Sequence, residues 1–139
     1  MSLRDQFERA IPIEVEISED VQGRESTGGS TIPPKVRLAM YRVSEEALGN
    51  IVKHSGATGA NVSLWIEQEN IVFMSVEDNG QGFDMSDSTS KRSLGLMTIQ
   101  DHMGVVGGEF SVESTPSKGT IVTAYVDISA DVLESASVS

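Results

Sequence analysis

The residues best suited to chemistry in this 139-residue chain are clustered in Asp78-Asn79-Gly80-Gln81-Gly82. An ionised carboxylate only accepts hydrogen bonds, so Asp78 could take one from an exocyclic amine of a ligand. Gly80 and Gly82 lack a Cβ, so the backbone there can turn at positive φ and let a flat ligand lie close. The same residues also suit an ordinary Asn-Gly turn between strands, and the stretch by itself leaves both readings open. A second polar set lies upstream. At about 100° per residue, Lys35, Arg42, Glu46, Asn50 and Lys53 fall on one narrow arc of a helix, with His54 at its edge.

These groups need elements to hold them. Ile71 to Glu77 reads as a largely buried strand delivering Asp78 at its end. Thr31-Ile32-Pro33-Pro34 opens the helix, because proline's missing N–H would be unpaired in the first turn anyway. Gly56 predicts its stop near Ser55. Val36, Met40, Val43, Ala47 and Ile51 share one flank, and Leu38, Tyr41, Leu48 and Val52 another. Apolar residues on both flanks predict broad burial, with the polar arc aimed into a cavity. Further strands are expected at Ile11–Ile17, with Pro12 at its start or edge, and at Ala60–Ile66. Leu96, Ile99, Met103 and Val106 predict a second helix ended by Gly107-Gly108. Glu109–Ser114 and Thr120–Ile128 read as a hairpin closed by Thr115-Pro116-Ser117-Lys118-Gly119. Gly23–Thr31 and the polar stretch Asp84–Arg92 read as loops.

The bulk properties narrow the function. The length is that of one domain, and 38% hydrophobic with 22% charged residues is ordinary for a chain with a real core. There are no cysteines, which excludes disulfides and thiolate metal sites and fits a reducing compartment. No apolar run approaches the ~18 residues of a membrane span, and Met1–Asp5 turns polar too soon for a signal peptide. The net charge of −11 and pI near 4.4 argue against nucleic-acid or anionic-membrane binding. A polyanion could bind only through local cations or a metal ion.

Motifs recur in a fixed order: Glu46-Ala-Leu-Gly-Asn50 with Lys53 and His54 on a helix, then Asp78-Asn-Gly80-Gln-Gly82 after a strand. Leu94-Gly95-Leu96 follows a polar loop, and Gly119-Thr120 opens the last strand. This set resembles the catalytic, ATP-binding domain of sensor histidine kinases. That domain belongs to a wider ATPase group with type II topoisomerases, heat-shock chaperones and mismatch-repair proteins. Tyr41-Arg-Val-Ser-Glu-Glu-Ala-Leu-Gly-Asn-Ile-Val-Lys-His-Ser55 resembles the branch that pairs with helix-turn-helix response regulators.

The resemblance covers roughly Ile13 to Ile128 and implies an α/β two-layer sandwich, the Bergerat fold. Its mixed sheet of about five strands carries helices on one face. The implied domain spans 11–129, with 1–10 the end of an upstream linker or helix and 130–139 a flexible tail. By position, Asp78 matches the adenine-binding aspartate, Gly80 and Gly82 the glycines beside the purine, and Thr120 a threonine near the base. Asn50 matches the asparagine that binds Mg²⁺. Lys53 and His54 fall near the phosphates, and Gly95 and Leu96 at a helix start beside them. Glu46 matches a catalytic glutamate. Lys91 and Arg92 lie in the short lid, where Ser93 replaces a glycine common in the family.

The implied activity is transfer of the ATP γ-phosphoryl group to a histidine on a dimerisation domain. His102 reads as structural or exposed, and neither histidine of the chain fits the acceptor, so the chain reads as a catalytic domain alone. The implied partners are that dimerisation domain and a downstream response regulator, with no nucleic acid and no direct membrane contact. The expected location is cytoplasmic, whether or not a parent protein is membrane-anchored. Alternatives are an anti-sigma-factor-like serine kinase of the same fold and, of a different class, a non-catalytic nucleotide-sensing or interaction module.

Overall fold

The computed structural model describes residues 12–18, 32–52, 56–82 and 96–129. Its elements are β1 (Ile13–Ile17), α1 (Pro34–Asn50), β2 (Ala60–Glu67), β3 (Ile71–Asp78), α2 (Leu96–Val105), β4 (Glu109–Ser114) and β5 (Thr120–Asp127). The strands form one mixed sheet in the order β1-β2-β3-β5-β4. β1 runs parallel to β2, and every other neighbouring pair is antiparallel. This is the expected two-layer arrangement, with α1 and α2 packed against each other over the sheet.

Period-two alternation sorts the strands into two faces. The inner face carries Ala60, Val62, Ile66, Val72, Met74, Val76, Val122, Ala124 and Val126, all buried. α1 contributes Val36, Met40, Val43, Ala47 and Leu48 to the same core, and α2 contributes Ile99 and Met103. The outer face is acidic, with Glu14, Glu16, Glu67, Glu77, Glu109 and Glu113 all exposed. Across its middle, Trp65 stacks on Phe73 at 5.3 Å and Phe73 on Tyr125 at 5.4 Å. These rings come from neighbouring strands, so they tie β2, β3 and β5 together from outside.

The element ends follow local chemistry. Pro33 caps α1 with Pro34 in its first turn, and the Pro33 carbonyl accepts the N–H of Arg37 at 3.1 Å. Residues 51–52 continue α1 in a wider turn, and Gly56 sits at φ +64°. The end expected near Ser55 lies outside the described residues. α2 closes with a Schellman motif: Gly108 N–H donates to Met103 O at 2.8 Å and Gly107 N–H to Gly104 O at 3.2 Å, with Gly107 at φ +68°. The β2–β3 turn places Gln68 and Glu69 at positive φ without a glycine.

One packing expectation is corrected. α1 is not buried on both apolar flanks: Leu38 is 56% exposed and Val52 39%. The sheet lies on the Val36–Ala47 side; on the other flank Leu48 is buried and Tyr41 half-buried, while Leu38 and Val52 face outward. The polar arc divides accordingly. Lys35 and Arg42 are exposed, and Arg42 pairs with Glu45 at 2.9 Å on the surface. Among the described residues of the arc, Glu46 and Asn50, in the last turns, are half-buried.

Candidate nucleotide-binding site

β3 runs one residue further than its apolar pattern, so Asp78 is still in the ladder, paired with Ala60 on one side and Thr120 on the other. It has the parity of Val72, Met74 and Val76, so its side chain points to the helical face, where it is only 6% exposed. It is one of two buried polar residues among those described. The other, Ser44, donates its hydroxyl to Tyr41 O at 2.7 Å.

The Asp78 carboxylate is partly engaged. Its Oδ1 accepts the N–H of Gly80 at 2.7 Å. No other hydrogen bond to this side chain is seen among the described residues, and no buried side-chain oxygen there lacks a partner. Oδ2 is therefore reachable and can accept a hydrogen bond from a ligand. Burial raises the Asp78 pKa above the usual carboxylate value; the Gly80 N–H opposes this, and the nearby Glu77 charge adds to it.

The β4–β5 hairpin completes this corner. Ser114 Oγ lies 2.8 Å from Thr120 Oγ1 and 3.2 Å from the Gly119 carbonyl, to which it donates. With that proton so used, Thr120 donates to Ser114 and keeps its own lone pairs for a base or a water. Gly119 sits at φ +85°, where a Cβ would overlap the Asp78 carbonyl. Gly82 sits at φ +64°, where a Cβ would overlap the Thr115 carbonyl, and Ser117 N–H donates to Gln81 O nearby. Gly82 and Gly119 thus let two loops close on each other.

The structure brings Asp78, Gly80, Gly82 and Thr120 together at one end of the sheet. α1, which carries Glu46 and Asn50, packs on β3 and β5 over the face to which Asp78 points. Leu96 opens α2, half-buried against the core. Lys53, His54, Gly95 and the lid with Lys91 and Arg92 lie outside the described residues. A cavity of about 360 Å³ opens behind the corner, lined by Glu14, Gly59, Asn61, Glu77, Asp78 and Asn79, among others. Glu46, Asn50 and Thr120 do not line it.

Sequence reasoning singled out neither Asn79 nor Ser114. Asn79 Oδ1 accepts the N–H groups of Thr58 at 2.9 Å and Gly59 at 3.2 Å, and its Nδ2 donates to Thr58 Oγ1 at 2.9 Å. Asn79 lies within the motif, but its partners are 20 and 21 residues away and leave no local trace. Ser114 is visible only through its strand register with Thr120.

A magnesium ion shared with a polyphosphate asks few oxygens of the protein. No group of three His, Cys, Asp or Glu among the described residues could hold a metal alone. Mg²⁺ typically takes few protein oxygens and completes its octahedron with phosphates and water, a demand that a lone amide oxygen such as that of Asn50 can meet.

An acid thus stands in an otherwise aliphatic sheet face, flanked by glycines and a threonine beneath a helix with a polar end. The chain belongs to the family described as histidine kinase-, DNA gyrase B-, and HSP90-like ATPases, whose model matches residues 35–130. The sensor histidine kinase MctS of Rhizobium johnstonii is 38% identical over 103 residues, which cover 73% of this chain and 22% of MctS. The sensor histidine kinase YdfH of Bacillus subtilis is 34% identical over 89 residues, covering 63% of this chain and 22% of YdfH. The kinase/phosphatase DegS of Bacillus subtilis is 28% identical over 105 residues, covering 74% and 27%. The chain thus spans about a quarter of the length of these relatives. Among solved structures, the histidine kinase domain of the Erythrobacter litoralis blue-light activated kinase superposes with a TM-score of 0.66 at 19% identity, covering 86% of this chain and 52% of that one. The Acinetobacter baumannii histidine kinase AdeS gives 0.65 at 19%, covering 91% and 59%. The chain is an ATP-binding domain of the sensor histidine kinase type.

Proposed function

We propose that the chain binds Mg–ATP between α1 and the Asp78 end of the sheet, and supplies the nucleotide half of phosphoryl transfer to a histidine on a separate dimerisation domain. The domain is proposed to span residues 11–129 and to act in the cytoplasm upstream of a response regulator. The observation that carries this reading is Asp78, a buried acid with a reachable oxygen. It accepts the adenine amino group, which guanine lacks at that position. Gly80 and Gly82 flank the purine, and Thr120 bonds near it directly or through water. Asn50 holds Mg²⁺, which neutralises phosphate charge when bound. Lys53, His54 and the backbone around Gly95 and Leu96 serve the phosphates. Glu46, one turn before Asn50, orients the accepting group. In such a reaction, positioning and electrostatics do most of the work. Among the described residues no helix is long and apolar enough to cross a membrane.

Thermal shift tests the reading. Mg–ATP at about 100 times Kd stabilises by about 2.7 kcal/mol. Asp78→Ala is expected to abolish the shift, and Asn50→Ala to remove mainly its magnesium dependence. A shift equally large with Mg–GTP, or unchanged by both substitutions, overturns the assignment. With labelled ATP alone the chain is expected to retain no label; stable label on His102 contradicts the proposed division of labour.

A further inference from the structure

Asn79 connects the sheet to the segment that returns from α1. Its side chain uses both ends of its amide: the oxygen accepts two successive N–H groups, of Thr58 and Gly59, and the nitrogen donates to the Thr58 hydroxyl. The next residue, Ala60, begins β2, donates its N–H to Pro12 O at 3.1 Å and pairs with Asp78. Residues 56–59 therefore reach the sheet already tied to the residue after the adenine-binding acid. The helix at the other end of that return carries Asn50. One side chain thus links the base end of the site to the chain leaving its phosphate end.

We propose that Asn79 is a positioning residue that sets the spacing between the purine-binding and the magnesium–phosphate-binding ends of the site. This rests on the reading of Asp78 and Asn50 as those two ends. Asn79 is exposed, and the N–H groups it holds can turn to water when it is removed. Its loss is therefore felt less in folding than in how well both ends of one ligand are met at once. A ligand that uses only the base end is indifferent to the clip, whereas a ligand that spans both ends depends on it.

The test compares two probes on the full chain with Mg²⁺ at physiological ionic strength: adenosine, which meets only the base end, and ATP. Asn79→Ala is expected to leave adenosine affinity within about twofold and to weaken ATP about tenfold, so that the ATP-to-adenosine affinity ratio falls. Asn79→Asp keeps an acceptor for both N–H groups, and the Thr58 hydroxyl can rotate to donate to its second oxygen. It is expected to restore the ratio to within about threefold of the parent chain. Thr58→Ala removes one bond of the three and is expected to fall between. A ratio unchanged in Asn79→Ala, or lost equally in Asn79→Asp, overturns the proposal. So does equal weakening of both probes with a lowered melting temperature, which marks a purely structural role. Failure of the unsubstituted chain to bind ATP overturns the proposed function instead.

Discussion

Asp78 and Asp127 end adjacent antiparallel strands at opposite corners of the same sheet, and their surroundings move their acidity in opposite directions. Asp78 faces the core, and burial pushes its pKa up. Asp127 faces outward, where hydrogen bonds from Ser129, including its N–H at 2.8 Å, hold the carboxyl below the usual range. The identical group is costly at one corner and accommodated at the other. On the proposed reading, the costly carboxylate is kept because a ligand makes use of it. The outer-face glutamates need no such explanation, because water solvates them.

The largest effect that would sharpen this contrast comes from Gly119. Gly119→Ala puts a Cβ against the Asp78 carbonyl at a φ that L residues rarely adopt. It is expected to cost about 3 kcal/mol or more in a denaturant titration and to weaken ATP as well. Next is Asp78→Asn, which keeps an acceptor for Gly80 but presents an amide where the carboxylate stood. It is expected to weaken Mg–ATP roughly ten- to a hundredfold by calorimetry, yet leave the ligand-free protein as stable or more stable at neutral pH. A destabilised, ATP-competent Asp78→Asn would break the comparison. On the outer face, Phe73→Ala removes the middle ring of the stack. It is expected to cost about 1–2 kcal/mol of stability and leave ATP affinity unchanged.

Smaller effects follow from pH. The folded pKa of Asp78 is raised, so below it the folded state binds more protons than the unfolded chain. This group's contribution to ligand-free stability therefore increases as pH falls from the raised value toward the ordinary 3.8. ATP affinity is expected to move the other way, because the proposed role of Asp78 requires the carboxylate. Asp127 has the opposite sign: its contribution is present above the ordinary value and is lost as pH falls through the lowered one. Ser129→Ala is expected to return the Asp127 titration toward the ordinary value in an NMR experiment, with the Asp78 titration unmoved.

The strands were legible because alternation survives in each of them, from Ala60-Asn61-Val62 to Val122-Thr123-Ala124. The corner was legible as a glycine-flanked acid at a strand end, a signal that became specific only with the other motifs in their fixed order. α1 was read less well. Leu38 and Val52 satisfy an apolar periodicity, but periodicity reports what a helix face could bury, not whether anything covers it. The Asn79 bonds and the approach of Gly119 to Asp78 are contacts between distant segments, which no local window contains.

The position of Asp78 inside the ladder has a consequence for motion. Its strand is bonded on both sides, to β2 and to β5, so shifting the acid would mean shearing the sheet itself. On the proposed reading, the base end of the site is a fixed jaw, and any opening and closing falls to the parts that approach it.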